Sequence, residues 1–269
     1  MDISAYLSRI GYAGETTPTL ETLKRLHRTH LYAIPYENLD IHLGRTLSLD
    51  ERQIFEKIVM RRRGGWCYEM NGLFAWALEA LGFPVTRMAS AVGREGSGDA
   101  AERNHLILKV ELDRPYLVDV GFGNGLLEPV PLEAGTFTQR FLSYGLSHNG
   151  ARWYFQNQIY GGAGFDFTLE PRRMSDFSEK CHELQTSPES GFVRTTVCYR
   201  FTPEGYLSLR GAVLQTITES GVHEHIIESQ DEYAATLGGQ FDLHLPANDM
   251  DTLWQKVWER HIEWLKTRA

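Results

Sequence analysis

Residues 63–72 read Arg-Gly-Gly-Trp-Cys-Tyr-Glu-Met-Asn-Gly, a cysteine set just after two glycines and just before a helical pattern. In that pattern Met70, Leu73, Phe74, Ala77, Leu78 and Leu81 recur on one helix face, and Gly82 stands where a left-handed C-terminal cap belongs. Cys67 is thus expected at the N-terminal edge of a helix. Unpaired amides and the positive dipole end there favour a thiolate, drawing a cysteine below its usual pKa of about 8.5. The glycines let backbone and ligand approach closely. A lone cysteine is by default a small buried apolar residue, but this setting makes Cys67 a candidate nucleophile.

Upstream, Leu20, Leu23, Leu26 and Leu31 recur at helical spacing after Thr17-Pro18, read as a cap followed by proline at the first helical position. Ser48-Leu49-Asp50-Glu51 forms a capping-box pattern ahead of Ile54, Phe55 and Ile58. Downstream of Phe83 the texture changes to short runs broken by Gly, Asn and Pro, with strand candidates at 84–92, 105–112, 115–120, 137–144, 152–160 and 165–169. Strands at hairpin distance predict an antiparallel sheet curling into a small barrel. Gly93 to Asn104, almost without apolar anchors, reads as an exposed mobile loop. A hairpin of 195–202 and 206–218 turns at Pro203-Glu204-Gly205. Helical patterns near 230–238 and 249–267 close the chain; Asn248 caps the second, and Met250, Leu253, Val257 and Trp264 share one of its faces.

A thiolate needs a proton carrier, and a histidine oriented by a carboxylate is the usual one. Of ten histidines, His105 opens the apolar run His105-Leu106-Ile107-Leu108-Lys109-Val110, where a loop meets a strand. In Tyr116-Leu117-Val118-Asp119-Val120-Gly121-Phe122-Gly123 a carboxylate interrupts an apolar strand, and a buried charge persists only when paired. If a turn at Asp113-Arg114 joins the two strands, Lys109 faces Val118 and His105 falls near Asp119. Asp113 itself is a turn residue. Cys181 and Cys198 lack comparable context and read as structural. Gly121-Phe122-Gly123-Asn124-Gly125 opens no helix and does not have dinucleotide-loop spacing.

Composition limits the rest. A chain of 269 residues with 42% hydrophobic and 23% charged residues is ordinary globular usage. The net charge of -8 argues against a phosphate-backbone binder, so nucleic acid is not an expected partner. Of the basic run Arg61-Arg62-Arg63, the first two read as a solvated helix end. No run is apolar enough to span a membrane and the first residues do not resemble a signal peptide, which predicts a cytoplasmic protein. Three scattered cysteines fit neither a disulfide framework nor a zinc pattern, so no metal is expected.

Residues 63–72, together with Ile-Pro-Tyr-Glu-Asn-Leu-Asp at 34–40 and Val-Asp-Val-Gly-Phe-Gly at 118–123, resemble the hallmark segments of arylamine N-acetyltransferases, most densely from about 34 to 131. The resemblance implies an α+β fold with an N-terminal helical subdomain (1–82), a central antiparallel β-barrel (83–192) and a C-terminal α/β lid (193–269). It implies a cysteine-protease-like core of Cys67, His105 and Asp119, and a cavity walled by Tyr36, Phe122 and Phe192. It further implies acetyl-CoA as co-substrate, with no bound cofactor, and arylamines, arylhydrazines or N-hydroxyarylamines as acceptors through an acetyl-cysteine intermediate. Glu37 and Arg63 are expected as a buried structural pair. Two rival readings stand beside this one: a papain- or transglutaminase-like enzyme, because a triad does not fix the acyl donor, and an inactive binding module.

Overall fold

The computed structural model describes residues 1–267. The helices are α1 (Ile3–Arg9), α2 (Leu20–Ala33), α3 (Leu39–His42), α4 (Glu51–Phe55), α5 (Cys67–Ala80), α6 (Arg94–Ser97), α7 (Ser178–Thr186), α8 (Gly191–Arg194), α9 (Gln230–Phe241) and α10 (Ala247–Lys266). The strands are β1 (Tyr36–Glu37), β2 (Val85–Val92), β3 (His105–Glu111), β4 (Pro115–Val118), β5 (Val130–Pro131), β6 (Gly135–Gln139) and β7 (Leu142–His148), then β8 (Trp153–Gln156), β9 (Phe165–Pro171), β10 (Val197–Phe201), β11 (Gly205–Arg210), β12 (Val213–Thr218) and β13 (Gly221–Ile226).

The helix that begins at Cys67 is the structural centre. Its residues from Cys67 to Ala75, with Ala77 and Leu78, are buried on all sides, as expected of a helix apolar around its whole circumference. It packs on α1, α4, β2 and β3, in a core that includes Leu73, Phe74, Leu78, Ile107, Leu108 and Val118. Because β3 is covered on both faces, His105-Leu106-Ile107-Leu108 is a continuous apolar run and does not alternate.

An eight-stranded antiparallel sheet runs in the order β5-β4-β3-β2-β9-β8-β7-β6. It is the expected antiparallel sheet, but among the described residues no pairing joins β5 to β6, so it stays open and is not a closed barrel. A second antiparallel sheet, β1-β10-β11-β12-β13, lies beneath α9 and α10 with its own core of Leu207, Leu209, Leu214, Tyr233, Leu237, Phe241 and Leu253. Its edge strand β1 comes from the N-terminal third and pairs Tyr36 with Tyr199. Among the described residues no helix is long and apolar enough to cross a membrane.

Several local expectations are corrected. Thr19, not Thr17, caps α2, its side chain accepting the Thr22 amide. Asp50, not Ser48, caps α4, whose axis widens into a π-helical turn at Glu56–Met60. The run 137–144 is split between β6 and β7 by a turn at Arg140, which has φ 57°. The run 206–218 is split likewise, at Gly211. Pro246 rather than Asn248 precedes α10. The 93–104 segment holds α6 and a 3-10 turn at Gly98–Ala101, fixed by Arg94 to Asp99, Glu102 and Asp166. Arg94 supplies the anchor that apolar residues do not. In the β3–β4 hairpin Lys109 faces Leu117, one residue from the expected register.

Candidate functional site

The nucleophile candidate is the first residue of α5 and is 2% exposed. Two glycines bring it there. The Gly65 carbonyl accepts the Glu37 amide at 2.9 Å and its own amide donates to Pro35 at 3.3 Å. A side chain on Gly64 would meet the Pro35 carbonyl oxygen at 2.2 Å, so the backbones of 34–37 and 64–65 touch in a way only glycine allows. Two segments quoted separately from the sequence are thus one structural unit.

Behind this turn lies a buried ionic network. Arg63 donates to Glu37 at 2.8 Å and to Asp40 at 3.1 Å, and Lys57 lies 2.8 Å from Glu69 and 3.4 Å from Asp40. Glu69 also accepts the Trp66 amide at 3.2 Å, capping α5 from one turn ahead. Burial works to raise the Asp40 carboxyl, but Lys57 and Arg63 overcome it and hold that group below its usual range. For Glu69 burial wins over Lys57 and its pKa is raised. The expected Glu37–Arg63 pair is present; Lys57 and its partners had no readable signal, because a lysine in an amphipathic helix looks solvent-facing.

His105 begins β3, 2% exposed, with its ring between Phe122 at 5.2 Å and Phe165 at 5.4 Å. Its Nε2 lies 2.8 Å from Asp119 Oδ2. A carboxylate only accepts, so Nε2 carries the proton and Nδ1 is the free nitrogen. The other Asp119 oxygen, Oδ1, accepts the Asn71 side-chain amide and the Gly121 backbone amide, each at 2.8 Å. A carboxylate that is 2% exposed therefore has a partner on each oxygen.

Asn71 is the residue that sequence reasoning missed. From α5, one turn beyond Cys67, its amide nitrogen also donates to the Leu106 carbonyl at 2.6 Å and its oxygen accepts the Val120 amide at 2.9 Å. One fully buried side chain thus ties the cysteine helix to both strands that carry His105 and Asp119. A signal existed: an asparagine four positions after Cys67, among Met70, Leu73 and Phe74, is a polar group on a buried face.

Cys67 and His105 line one cleft of about 330 Å³, together with Tyr36, Phe122, Phe192, Tyr199 and Arg210. Asp119 stands behind His105 and not on the cleft wall. Trp66 backs Phe192 edge-on at 5.3 Å, and Tyr36 contacts Tyr199 at 5.9 Å, so the lining is aromatic at the nucleophile candidate's side. Cys181 and Cys198 are buried and free.

The electrostatics of the thiol differ from the simple helix-terminus expectation. Burial pushes the Cys67 thiol well up, against the downward pull of the Leu106 and Tyr68 backbone amides. The backbone amides pull in the expected direction, but desolvation outweighs them. A thiol in this place ionises only if its proton has a nearby acceptor. Among the described residues no group of three or more His, Cys, Asp or Glu side chains is placed to hold a metal ion.

A family model described as N-acetyltransferase matches residues 19–250. The chain is 34% identical to a pineal gland isozyme of arylamine N-acetyltransferase from Gallus gallus, over 91% of this chain and 95% of that protein. It is 39% identical to an arylamine N-acetyltransferase from Mycolicibacterium smegmatis, over 84% and 86% respectively. Among solved structures, the Mycobacterium marinum arylamine N-acetyltransferase in complex with CoA superposes with a TM-score of 0.87 at 32% identity, covering 95% of this chain and 98% of that one.

Proposed function

This chain belongs to the arylamine N-acetyltransferase family, and we propose that it moves the acetyl group of acetyl-CoA to an aromatic nitrogen through an acetyl-Cys67 intermediate. The observation that carries this reading is the arrangement around His105: one ring nitrogen held by buried Asp119, the other left for the cleft that Cys67 also lines. The relative from Mycobacterium marinum is a complex with CoA, which supports the same donor here.

In the first half-reaction Cys67 Sγ attacks the thioester carbonyl and its proton passes to His105 Nδ1. Collapse of the tetrahedral adduct breaks the bond to the CoA sulfur, which takes that proton and leaves as a thiol. In the second half-reaction the acceptor nitrogen attacks acetyl-Cys67, gives its surplus proton to His105, and Cys67 recovers it as the C–S bond breaks. This is ping-pong catalysis. Burial raises the Cys67 thiol, so its deprotonation relies on His105 as the proton acceptor. Asp119 fixes the His105 tautomer and stabilises the imidazolium.

Arylamines, arylhydrazines and N-hydroxyarylamines carry weakly basic nitrogens that are neutral near pH 7, so a reactive thioester and a base suffice. Tyr36, Phe122 and Phe192 form the aromatic walls against which such rings lie. Residues 1–82 carry the nucleophile, 83–192 the His–Asp pair and 193–269 the lid, a division supported by the side chains that each segment contributes to the cleft. Free buried cysteines suit a reducing cytosol. Intact mass after incubation with acetyl-CoA tests the proposal. A single acetyl adduct is expected on wild type, absent from Cys67→Ala and discharged by an added arylamine; a folded protein that takes no adduct would overturn it.

A further inference from the structure

Tyr36 and His105 reach the Cys67 cleft from different sheets. β1 pairs with β10 on one side and bridges Gly65 on the other, so Tyr36 stands beside the Gly65-Trp66-Cys67 turn, while His105 comes from β3 in the eight-stranded sheet. The Tyr36 ring is 7% exposed and packs in one cluster with Trp66, Cys67 and Val197. A ring of carbon alone would wall the cleft as well. This residue carries a hydroxyl too, and among the described residues that hydroxyl donates to no carbonyl or carboxylate.

A buried phenol normally finds an acceptor; the neighbouring Tyr68 donates to the Arg103 carbonyl at 2.8 Å. The group set against the Tyr36 oxygen is instead a donor, the backbone amide of Cys67. As the first residue of α5, Cys67 has no acceptor for that amide within the helix. A hydroxyl oxygen that accepts a backbone N–H keeps its own proton for a further partner. Burial and the nearby Cys67 push the phenol well above its ordinary pKa, so near neutral pH the proton stays on it. The other donors on the cleft wall are engaged elsewhere. The Asn104 side chain donates to the Val92 carbonyl at 2.9 Å and accepts the Val92 amide at 2.8 Å. The Gly121 amide donates to Asp119 at 2.8 Å, and Arg210 to the Tyr199 hydroxyl at 3.1 Å.

We propose that Tyr36 is a catalytic residue, its hydroxyl donating a hydrogen bond to the carbonyl oxygen of the acyl group that Cys67 attacks. The assignment rests on the acetyl-Cys67 route proposed above. As the bond from Cys67 Sγ to the carbonyl carbon forms, the C=O π electrons move onto oxygen, and the Tyr36 bond to that oxygen strengthens without transfer of its proton. When the double bond re-forms, the bond to the CoA sulfur breaks and that sulfur takes the proton held by His105. The same oxygen turns negative again when the acceptor nitrogen attacks acetyl-Cys67, so one hydroxyl serves both half-reactions. A fixed donor aimed at developing charge in a site shielded from water stabilises the transition state more than the ground state.

Tyr36→Phe keeps the ring and removes only the hydroxyl. Because that hydroxyl has no acceptor within the protein, the variant should melt at the wild-type temperature. Acylation of Cys67 by acetyl-CoA and by p-nitrophenyl acetate should both slow, on the order of 100-fold with KM unchanged, since the two donors pass through the same oxyanion. Alkylation of Cys67 by iodoacetamide, a displacement at saturated carbon that creates no oxyanion, should keep its wild-type rate. A loss confined to acetyl-CoA would make Tyr36 a contact for that donor alone, and a parallel loss of alkylation would place its effect on the thiol; either overturns the proposal. Equal acylation of the two proteins overturns it as well, but leaves the acetyl-transfer reading standing. A wild type that iodoacetamide alkylates at Cys67 and neither donor acylates overturns both.

Discussion

Replacing Asn71 by aspartate changes one atom in shape but reverses the chemistry of the joint between α5 and the β3–β4 hairpin. The oxygen that accepts the Val120 amide is kept, while the two bonds donated to Leu106 and Asp119 are lost. An orphaned buried carbonyl costs about 1–3 kcal/mol. In addition, two carboxylates then face each other across the 2.8 Å now spanned by a hydrogen bond. At an effective dielectric of about 20 that repulsion is about 6 kcal/mol, which the pair sheds by holding one proton between them. The pair's folded pKa is thereby raised above its unfolded value. Stability is therefore retained at low pH and lost as pH rises through the folded pKa. Denaturant unfolding of Asn71→Asp and wild type at pH 5 and pH 8 should show a cost at least ~1.4 kcal/mol larger at pH 8, the equivalent of one pKa unit. Asn71→Ala, which orphans Leu106 and Val120 but adds no charge, should lose about 2–6 kcal/mol at both pH values. An equal pH dependence for the two variants would refute the reasoning.

Three further outcomes follow from the same geometry. Arg63→Ala leaves buried Glu37 without its cation and removes one of the cations around Asp40, and should cost about 3–5 kcal/mol, seen as low folded yield along with low activity; normal melting with selective loss of turnover would count against a structural role. Gly121→Ala places a methyl 2.8 Å from the Cys67 carbonyl oxygen and 2.5 Å from Asn71 Nδ2. That overpacking should cost about 1–3 kcal/mol and lower the acetylation rate more than the melting temperature suggests; an unaffected rate would show that the site tolerates a shift of Cys67. The alkylation rate of Cys67 should rise with pH in wild type, and His105→Gln should slow it at neutral pH, since burial pushes the thiol up and His105 is the acceptor that offsets it; an unchanged profile would remove His105 as proton acceptor.

The longer helices α2, α5, α9 and α10 and the inner strands were legible because their signals are local: α5 and β3 carry periodic or continuous apolar runs that burial then exploits, whereas α1, α7 and the one-turn helices α3, α6 and α8 left no such signal. The side chains placed around Cys67 were legible to different degrees. Asp119 betrayed itself as a charge in an apolar strand, but its second partner, Asn71, is far off in the chain and was visible only as a polar residue on a buried helix face. Turns were read less well, because Arg140 takes a left-handed conformation that nothing in a non-glycine residue announces. Lys57 was invisible because its partners Glu69 and Asp40 come from separate segments. The upward push of burial on the thiol was not legible because desolvation depends on tertiary packing, whereas the helix dipole does not.

The short strand β1 has a consequence for how the molecule comes into being. Tyr36 and Glu37 pair with β10, and Asn38 accepts the Val197 amide across 159 residues of chain. Closing a loop of that length costs about 4–5 kcal/mol of chain entropy before any contact repays it. The same strand supports Gly65 on its other side, so the turn that presents Cys67 gains its backing only after most of the chain has been synthesised. Emerging from the ribosome N-terminus first, the polypeptide should carry its cysteine for some time without the wall behind it. Chemical competence should therefore be acquired late, in one cooperative step, rather than built up segment by segment.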